Sequence, residues 1–215
     1  MSKQDTIIIL GTAHRMREPG KESPDKRLKE CVYSREICKE IAIKLRAYGY
    51  KVEIDYEPLD LSKTMQSSIV KQERNNELAM RVNYVNEICR QKGAKNVLYI
   101  SIHVNAIGTD GKWHDAHGWQ VCVSNKASDN SKKLANCLFD AAKQNGLKMR
   151  QPIATQKYWS QSLYVLNNTK CPAVLTENLF QDNKADVDYL LSDAGRHAIE
   201  RLHIEGIIKY IETSE

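Results

Sequence analysis

Short apolar runs alternate with longer segments of helical periodicity along most of this chain. The runs "TIIILG", which ends at Gly11, and "NVLYISI" are typical of buried strands. In 32–48, Ile37, Ile41 and Leu45 recur every four positions and indicate one face of a helix. This alternation predicts an α/β fold in a single domain, with a twisted, mostly parallel sheet of about six strands and helices on both faces.

The individual elements follow from the same patterns. The predicted strands are "TIIILG", "YKVEIDY", "NVLYISI", "GWQVCVS", "SLYVL" and "AVLTE". A polar stretch from Glu57 to about Gln72 precedes the second of four predicted helices. These cover about 32–48, about 73–91, a segment capped by Asp129 or Asn130 that runs to about 144, and a final segment capped by Asp193. The predicted domain covers 1–215, with its core in about 6–213.

Composition excludes several classes of protein. A chain of 215 residues with 41% hydrophobic content can bury a sizeable core. The net charge of +5 is modest and interleaved, so we expect no dedicated nucleic-acid binding. No apolar stretch is long enough for membrane insertion, and "MSKQDTIIIL" lacks the pattern of a signal peptide, so we expect synthesis in the cytoplasm.

Cysteine spacing predicts reduced thiols rather than disulfides. The six cysteines form no CxxC pair and have apolar neighbours, as buried thiols do. They are Cys31, Cys38, Cys89, Cys122, Cys137 and Cys171.

Residues that can bind a metal stand where the predicted strands end. His14 follows "TIIIL" by four residues, His103 ends "NVLYISIH", Glu177 ends "AVLTE", and Glu30 stands at the start of the first helix. Functional groups of open α/β sheets collect outside the carboxyl ends of the strands, so these side chains are expected at one edge. Two imidazoles and a carboxylate form the protein ligand set of a catalytic zinc site.

Each residue also has a structural interpretation. A histidine at a strand end can be a hydrogen-bonded polar cap, Glu30 can favour a helix start, and Glu177 can form a surface salt bridge. Spacing leaves open which acid would bind the metal.

Four motifs in order give the chain a family resemblance. They are "IIILGTAH…EPG…KE", "LAMRVNYVN" with Arg81 and Asn86, "SIHVNA", and "PAVLTENLFQDNKAD". Together they resemble the zinc-dependent N-acetylmuramoyl-L-alanine amidases of the Amidase_3 type, from about Ile7 to Ile211. The last two motifs, in this order, are the most specific.

The resemblance implies a function and a division of roles. It implies cleavage of the amide between the lactyl group of N-acetylmuramic acid and L-alanine in peptidoglycan. The protein would act on the cell wall as a phage lysin released by a holin, or as a remodelling enzyme secreted with a signal that was removed, and we expect it to be a monomer. One Zn²⁺ per chain would be bound by His14, Glu30 and His103. Glu177 would move protons, and Asn105 of "SIHVNA" would contact substrate.

The chain departs from the family pattern in two places. "RMRE" replaces the glycines that often follow the first histidine, and Glu177 to Phe180 lack the glycine of "E-x-G-F". The loop "GTDGKWHDAHG" adds three substrate-binding candidates, although we interpret its histidines mainly as surface residues: Trp113, His114 and His117.

Three other functions are weighed against the amidase. A carboxypeptidase-like zinc peptidase would place a glutamate three residues after a histidine ligand, where this chain has Arg17 and Ala106. A non-catalytic wall-binding module with a decayed site is disfavoured because all four candidate site residues are present: His14, Glu30, His103 and Glu177. A phosphate loop at "PGK" is rejected because Arg15 stands where the motif needs glycine.

Overall fold

One six-stranded sheet organises the chain, in the order β2-β1-β3-β6-β4-β5. The computed structural model describes residues 2–16, 18–59 and 70–214. The strands are β1 Ile7–Thr12, β2 Lys51–Ile54, β3 Val97–Asn105, β4 Gln120–Ser124, β5 Trp159–Gln161 and β6 Ala173–Phe180. The helices are α1 Glu30–Ala47, α2 Tyr56–Leu59, α3 Val70–Lys92, α4 Asp129–Gln144, α5 Tyr164–Asn168, α6 Lys184–Leu191 and α7 Asp193–Glu212, with a 3-10 turn at Ala94–Asn96.

The sheet is mostly parallel, as predicted. Strand β1 pairs in parallel with β2 and β3, β3 with β6, and β4 with β5, whereas β4 runs antiparallel to β6. The α/β class and the sheet of about six strands are therefore confirmed.

Successive side chains of the strands enter two separate cores. Ile8 and Leu10 belong to a large cluster with α1, α4 and α7, whereas Ile7 and Ile9 belong to a second cluster with α3 and α5. This follows from the two-residue period of a strand, and each fully buried aliphatic side chain contributes about 1.5–3 kcal/mol. None of the described helices combines the length and the apolar character needed to cross a bilayer.

Two helices begin at side-chain caps that differ from the predicted ones. Ser128 rather than Asp129 caps α4, and Ser192 rather than Asp193 caps α7. The aspartates lie in the first turn, where the helix dipole favours negative charge. Asn183 caps α6, a helix that was not predicted.

The prediction of a strand at "SLYVL" is wrong. The fifth strand in chain order comes earlier, at Trp159–Gln161, and Tyr164–Asn168 form the short helix α5. Val165 and Leu166 are buried there while Tyr164 is exposed. An apolar run of five residues is too short for its period to distinguish a helix from a strand.

Strands β3 and β6 continue past the residues expected to end them. His103 lies two residues inside β3 and Glu177 three residues inside β6, with a shift of register between His103 and Asn105. In the predicted polar stretch, α2 and α3 occupy the two ends, and 60–69 lie outside the described residues, as does Arg17. All six cysteines are free and buried.

Candidate metal centre

The strand order brings the candidate residues to one edge of the sheet. Strands β1, β3 and β6 are parallel neighbours, so His14 after β1, His103 on β3 and Glu177 on β6 lie near one another. His103 and Glu177 are register partners. Glu30 opens helix α1, which returns the chain to the same edge.

Helix α1 also holds the turn that carries His14. His14 has a φ of 47°, in the left-handed region that a side chain disfavours. The Ser34 hydroxyl accepts a hydrogen bond from Ala13 N at 2.9 Å and donates one to Ile102 O at 2.6 Å. Arg35 donates to the carbonyl of His14 at 3.0 Å. Contacts from α1 therefore maintain the strained turn and connect it to β3.

Three side chains converge on one point. One ligand atom from each of His14, Glu30 and His103 can be chosen so that all three lie within 4.8 Å of one another. Nε2 of His14 lies 3.2 Å from Oε2 of Glu30, and Nδ1 of His103 lies 3.0 Å from Oε1 of Glu30. The two rings meet edge to face with centroids 5.2 Å apart.

Each imidazole uses its other nitrogen for a positioning contact. Nδ1 of His14 lies 2.9 Å from Oε2 of Glu18, and Nε2 of His103 lies 3.0 Å from the hydroxyl of Ser101. The backbone N–H of Val104 donates to Glu30 at 3.2 Å. Such outer contacts fix the tautomer and orientation of histidine ligands.

The polar atoms at the centre of this cluster fit a metal ion. Nε2 of His14 and Oε2 of Glu30 are buried and have no hydrogen-bond partner among the described residues. Imidazole nitrogen and carboxylate oxygen are donors that Zn²⁺ accepts. The three residues thus form a candidate His/Glu/His metal site.

The electrostatics of the cluster favour positive charge beside Glu30. Burial lowers the pKa of His14, but the carboxylates of Glu30 and Glu18 outweigh it and raise that pKa to about 9. Burial opposes ionisation of Glu30, yet His14 and His103 hold its pKa well below its usual range. Burial lowers the pKa of His103. A cation bound beside the ionised Glu30 would take the place of the proton that His14 otherwise holds.

Glu177 differs from the other acids at this edge. Its Oε2 is buried and has no hydrogen-bond partner among the described residues. Burial, and then repulsion from Glu30, raise the pKa of Glu177 to about 8. A carboxyl group with a pKa near neutrality can both accept and release a proton.

The cluster opens into a cavity of about 280 Å³. The three candidate ligands, Glu177 and Asn105 line it together with Leu163, Tyr164 and Val165 from the start of α5. A cavity lined by both apolar side chains and a few charged ones is typical of sites that bind organic ligands.

Arg81 lies at the floor of this cavity within a buried ion network. It donates to Asp55 and, at 2.7 Å, to Glu77, and Asp55 also accepts the backbone N–H of Thr12 at 2.9 Å. The network connects α3 to the end of β1. Asn86 of the same motif bonds the backbone at Asn168 and Lys170 instead.

The loop candidates lie away from the cavity. Trp113, His114 and His117 are not among the described residues that line it. His114 contacts Asp110 at 2.9 Å, and His117 contacts the carbonyl of Asp115 at 2.8 Å. Their role in substrate binding stays a prediction.

Sequence reasoning passed over the two positioning residues. Glu18 belongs to "EPG" and Ser101 to "SIHVNA", and neither is among the predicted site residues. The signal for Glu18 was available, since it stands four residues after His14 and a carboxylate partner is common for histidine ligands.

Comparison with known proteins agrees with this geometry. The family model for N-acetylmuramoyl-L-alanine amidases matches residues 8–209. The endolysin of Bacillus phage SPP1 is 32% identical over 123 residues, which are 57% of this chain and 43% of the endolysin. The probable cell wall amidase LytH of Staphylococcus saprophyticus is 25% identical over 208 residues, which are 96% of this chain and 59% of LytH. The chain thus spans about half the length of these curated relatives.

A solved structure shows the same fold. An N-acetylmuramoyl-L-alanine amidase from Clostridium difficile 630 superposes with a TM-score of 0.76 at 20% identity, covering 99% of this chain and 100% of that one. Because the family model spans nearly all of the sheet and every residue of the candidate centre, the chain belongs to the N-acetylmuramoyl-L-alanine amidase family.

Proposed function

We propose that this protein is a zinc-dependent amidase that cleaves the bond between the N-acetylmuramic acid lactyl group and L-alanine of peptidoglycan. His14, Glu30 and His103 hold one Zn²⁺ per chain, and Glu177 transfers the protons. The observation that carries the proposal is the convergence of three donor atoms within 4.8 Å beside Glu177, whose buried oxygen has no partner among the described residues.

The protein's own groups account for proton movement in this reaction. A bound zinc ion would supply positive charge that polarises the amide carbonyl and lowers the pKa of a water molecule. Glu177 takes the proton from the attacking water and delivers it to the nitrogen of the leaving L-alanine. Glu18 and Ser101 keep the two imidazoles oriented, and the apolar wall at α5 limits the access of other water.

The setting follows from the relatives. An endolysin and a probable cell wall amidase both match this chain, which supports peptidoglycan as the partner and the cell wall as the place of action. We propose a single amidase domain over 1–215 that acts as a monomer, with Asn105 at the cavity wall contacting the substrate.

Digestion of purified peptidoglycan tests the proposal. Mass spectrometry of the products should show stem peptides with a free L-alanine amino terminus and intact glycan strands. A chelator should stop the reaction, and added Zn²⁺ should restore it. New reducing sugar ends without new amines would identify a glycosidase and contradict the proposal.

A further inference from the structure

A second cavity, of about 240 Å³, adjoins the metal cavity. Asn105 and Ala106 line both, so a ligand can extend from one into the other. The second cavity is lined further by Gln120, Arg150 and Trp159. Its position and the cationic side chain of Arg150 suggest a subsite for part of the substrate.

Arg150 is held in place at this cavity. Its backbone N–H donates to Trp119 O at 2.7 Å, and its carbonyl accepts from Trp159 Nε1 at 3.2 Å. The guanidinium carbon lies 5.1 Å from the ring centre of Phe180 and 5.8 Å from that of Trp159. Stacking on two rings limits the motion of a side chain that otherwise has many rotamers.

The guanidinium of Arg150 is not neutralised by an acid. Within the described part of the chain, no carboxylate lies within 4.0 Å of it, whereas Arg74 is paired with Glu18 and Lys21 lies 3.8 Å from Glu30. A planar guanidinium with free donors matches a carboxylate, which it can bind through two parallel hydrogen bonds.

The register of the sheet places Glu177 between the two cavities. His103 on β3 pairs with Glu177 on β6, and Glu177 pairs with Gln120 on β4. Register partners point to the same face, so Glu177 lies between the metal cluster and the second cavity. In the proposed reaction Glu177 protonates the leaving amine, which would place the leaving stem peptide on the Gln120 side.

We propose that Arg150 binds a free carboxylate of the stem peptide, and so makes the protein select stems by their charge. The inference rests on the proposed amidase function. The glycan of peptidoglycan carries no free carboxylate once the lactyl group is in amide linkage, so the anionic group must belong to the stem. The second stem residue, glutamate, has a carboxylate that is either free or amidated, and it follows the scissile bond closely.

The test uses two muramoyl dipeptides that differ only in that group, one with the carboxylate free and one with it amidated. The parent protein should cleave the free form with a kcat/KM about 10-fold higher, the effect of a charge-assisted hydrogen bond in a partly open site. In Arg150→Ala the preference should disappear, with the amidated form cleaved as before. Arg150→Lys should keep part of the preference, since it keeps the charge without the planar fork.

Controls separate this role from a structural one. Arg201→Ala removes the same charge from an exposed position on α7 and should leave the preference unchanged. An equal loss on both substrates in Arg150→Ala, or no preference in the parent protein, would overturn the proposal. Should Arg150→Ala not fold, Arg150→Gln keeps much of the contact with the rings and gives the same comparison.

Binding of the product keeps this inference distinct from the proposed reaction. The dipeptide L-alanyl-glutamate should bind the parent protein about 10-fold more tightly than its amidated form in calorimetry, and equally to it in Arg150→Ala. If the parent cleaves neither substrate yet shows this difference in binding, the proposed function fails and Arg150 retains its role. If the parent protein cleaves the substrates but binds the two dipeptides equally, the role proposed for Arg150 is wrong and the proposed amidase function stands.

Discussion

His14 and His103 each turn one ring nitrogen toward Glu30 and hold the other in a contact with Glu18 or Ser101. A rotated ring would no longer point its nitrogen at the metal position. The affinity for a metal therefore depends on residues that never touch the metal. The individual side chains therefore make separable predictions about metal binding, proton transfer and pH.

Replacing Glu18 should weaken metal binding without removing a ligand. In Glu18→Ala, Nδ1 of His14 loses its partner, so zinc affinity measured by competition with a chromophoric chelator should fall by about 10- to 100-fold. Glu22→Gln changes an exposed acid of the same loop and should leave affinity unchanged. Equal affinities in the two variants would show that Glu18 does not position His14.

Glutamine substitutions should separate the two acids. Glu177→Gln should retain about one zinc per chain by atomic absorption, while turnover falls by roughly 10²- to 10⁴-fold, the usual contribution of a general base. Glu30→Gln should lose metal first, because an amide is a poorer zinc ligand than a carboxylate. The reverse pattern would mean that the assigned roles are exchanged.

The raised pKa of Glu177 predicts a pH dependence of stability. Its pKa is about 8 in the folded protein against a usual 4.5, so the folded state retains a proton that the unfolded state has lost. The free energy of unfolding of the metal-free protein should thus decrease as the pH rises from 4.5 to about 8. This group contributes a decrease of up to about 1.4 kcal/mol per pH unit.

Glu177→Gln cannot lose a proton and should lack this contribution. Urea unfolding of both proteins at pH 5.5 and 7.5, in the presence of a chelator, measures the difference. Equal changes with pH in the two proteins would show that Glu177 has an ordinary pKa.

At the scale of elements, helix α3 contributes a buried charge to the floor of the site. Arg81 lies between Asp55 and Glu77, and all three are almost fully buried. Removing one member of a buried ion network leaves the others uncompensated. The network therefore matters more for stability than an exposed pair on the same helix would.

Arg81→Ala should destabilise the protein by about 3–5 kcal/mol, because Asp55 and Glu77 remain buried without their partner. Arg90 and Glu87 form an exposed pair on the same helix, and Arg90→Ala should change stability little. Chemical denaturation of both variants measures the contrast. Similar losses in both would show that the buried network carries no special weight.

At the scale of the whole molecule, the candidate centre joins the turn after β1, the start of α1 and strand β3. These residues are spread between positions 14 and 103 and meet only when the chain folds. A metal that needs all three therefore binds only the folded protein. Binding that is restricted to the folded state stabilises it by mass action.

Removal of the metal should lower the melting temperature. With free zinc at about 1,000 times its Kd, the stabilisation is about 4 kcal/mol, which corresponds to roughly 10 °C for a chain of this length. Differential scanning calorimetry with and without a chelator measures the shift. In His103→Ala the chelator should have no effect, and an unchanged melting temperature in the parent protein would argue against the metal.

The local pattern of the chain determined its class and its candidate residues. Continuous apolar runs arise from strands that are buried on both faces, and a helical period near four arises from burial on one face, so both are visible without the fold. The same holds for His14, His103, Glu30 and Glu177, which stand near strand ends or a helix start. The sequence pattern failed where runs were short, as at "SLYVL" and in the short helices α2 and α6, and it did not identify the serines that cap α4 and α7.

The tertiary structure decided how these residues meet. Distances among His14, Glu30 and His103 depend on the order β1-β3-β6, which is a set of pairings between residues far apart in the chain. The ion network of Arg81 and the unneutralised guanidinium of Arg150 are equally non-local. Whether a charge is paired depends on which other groups the fold places within a few ångströms. The spacing of residues along the chain does not determine those distances.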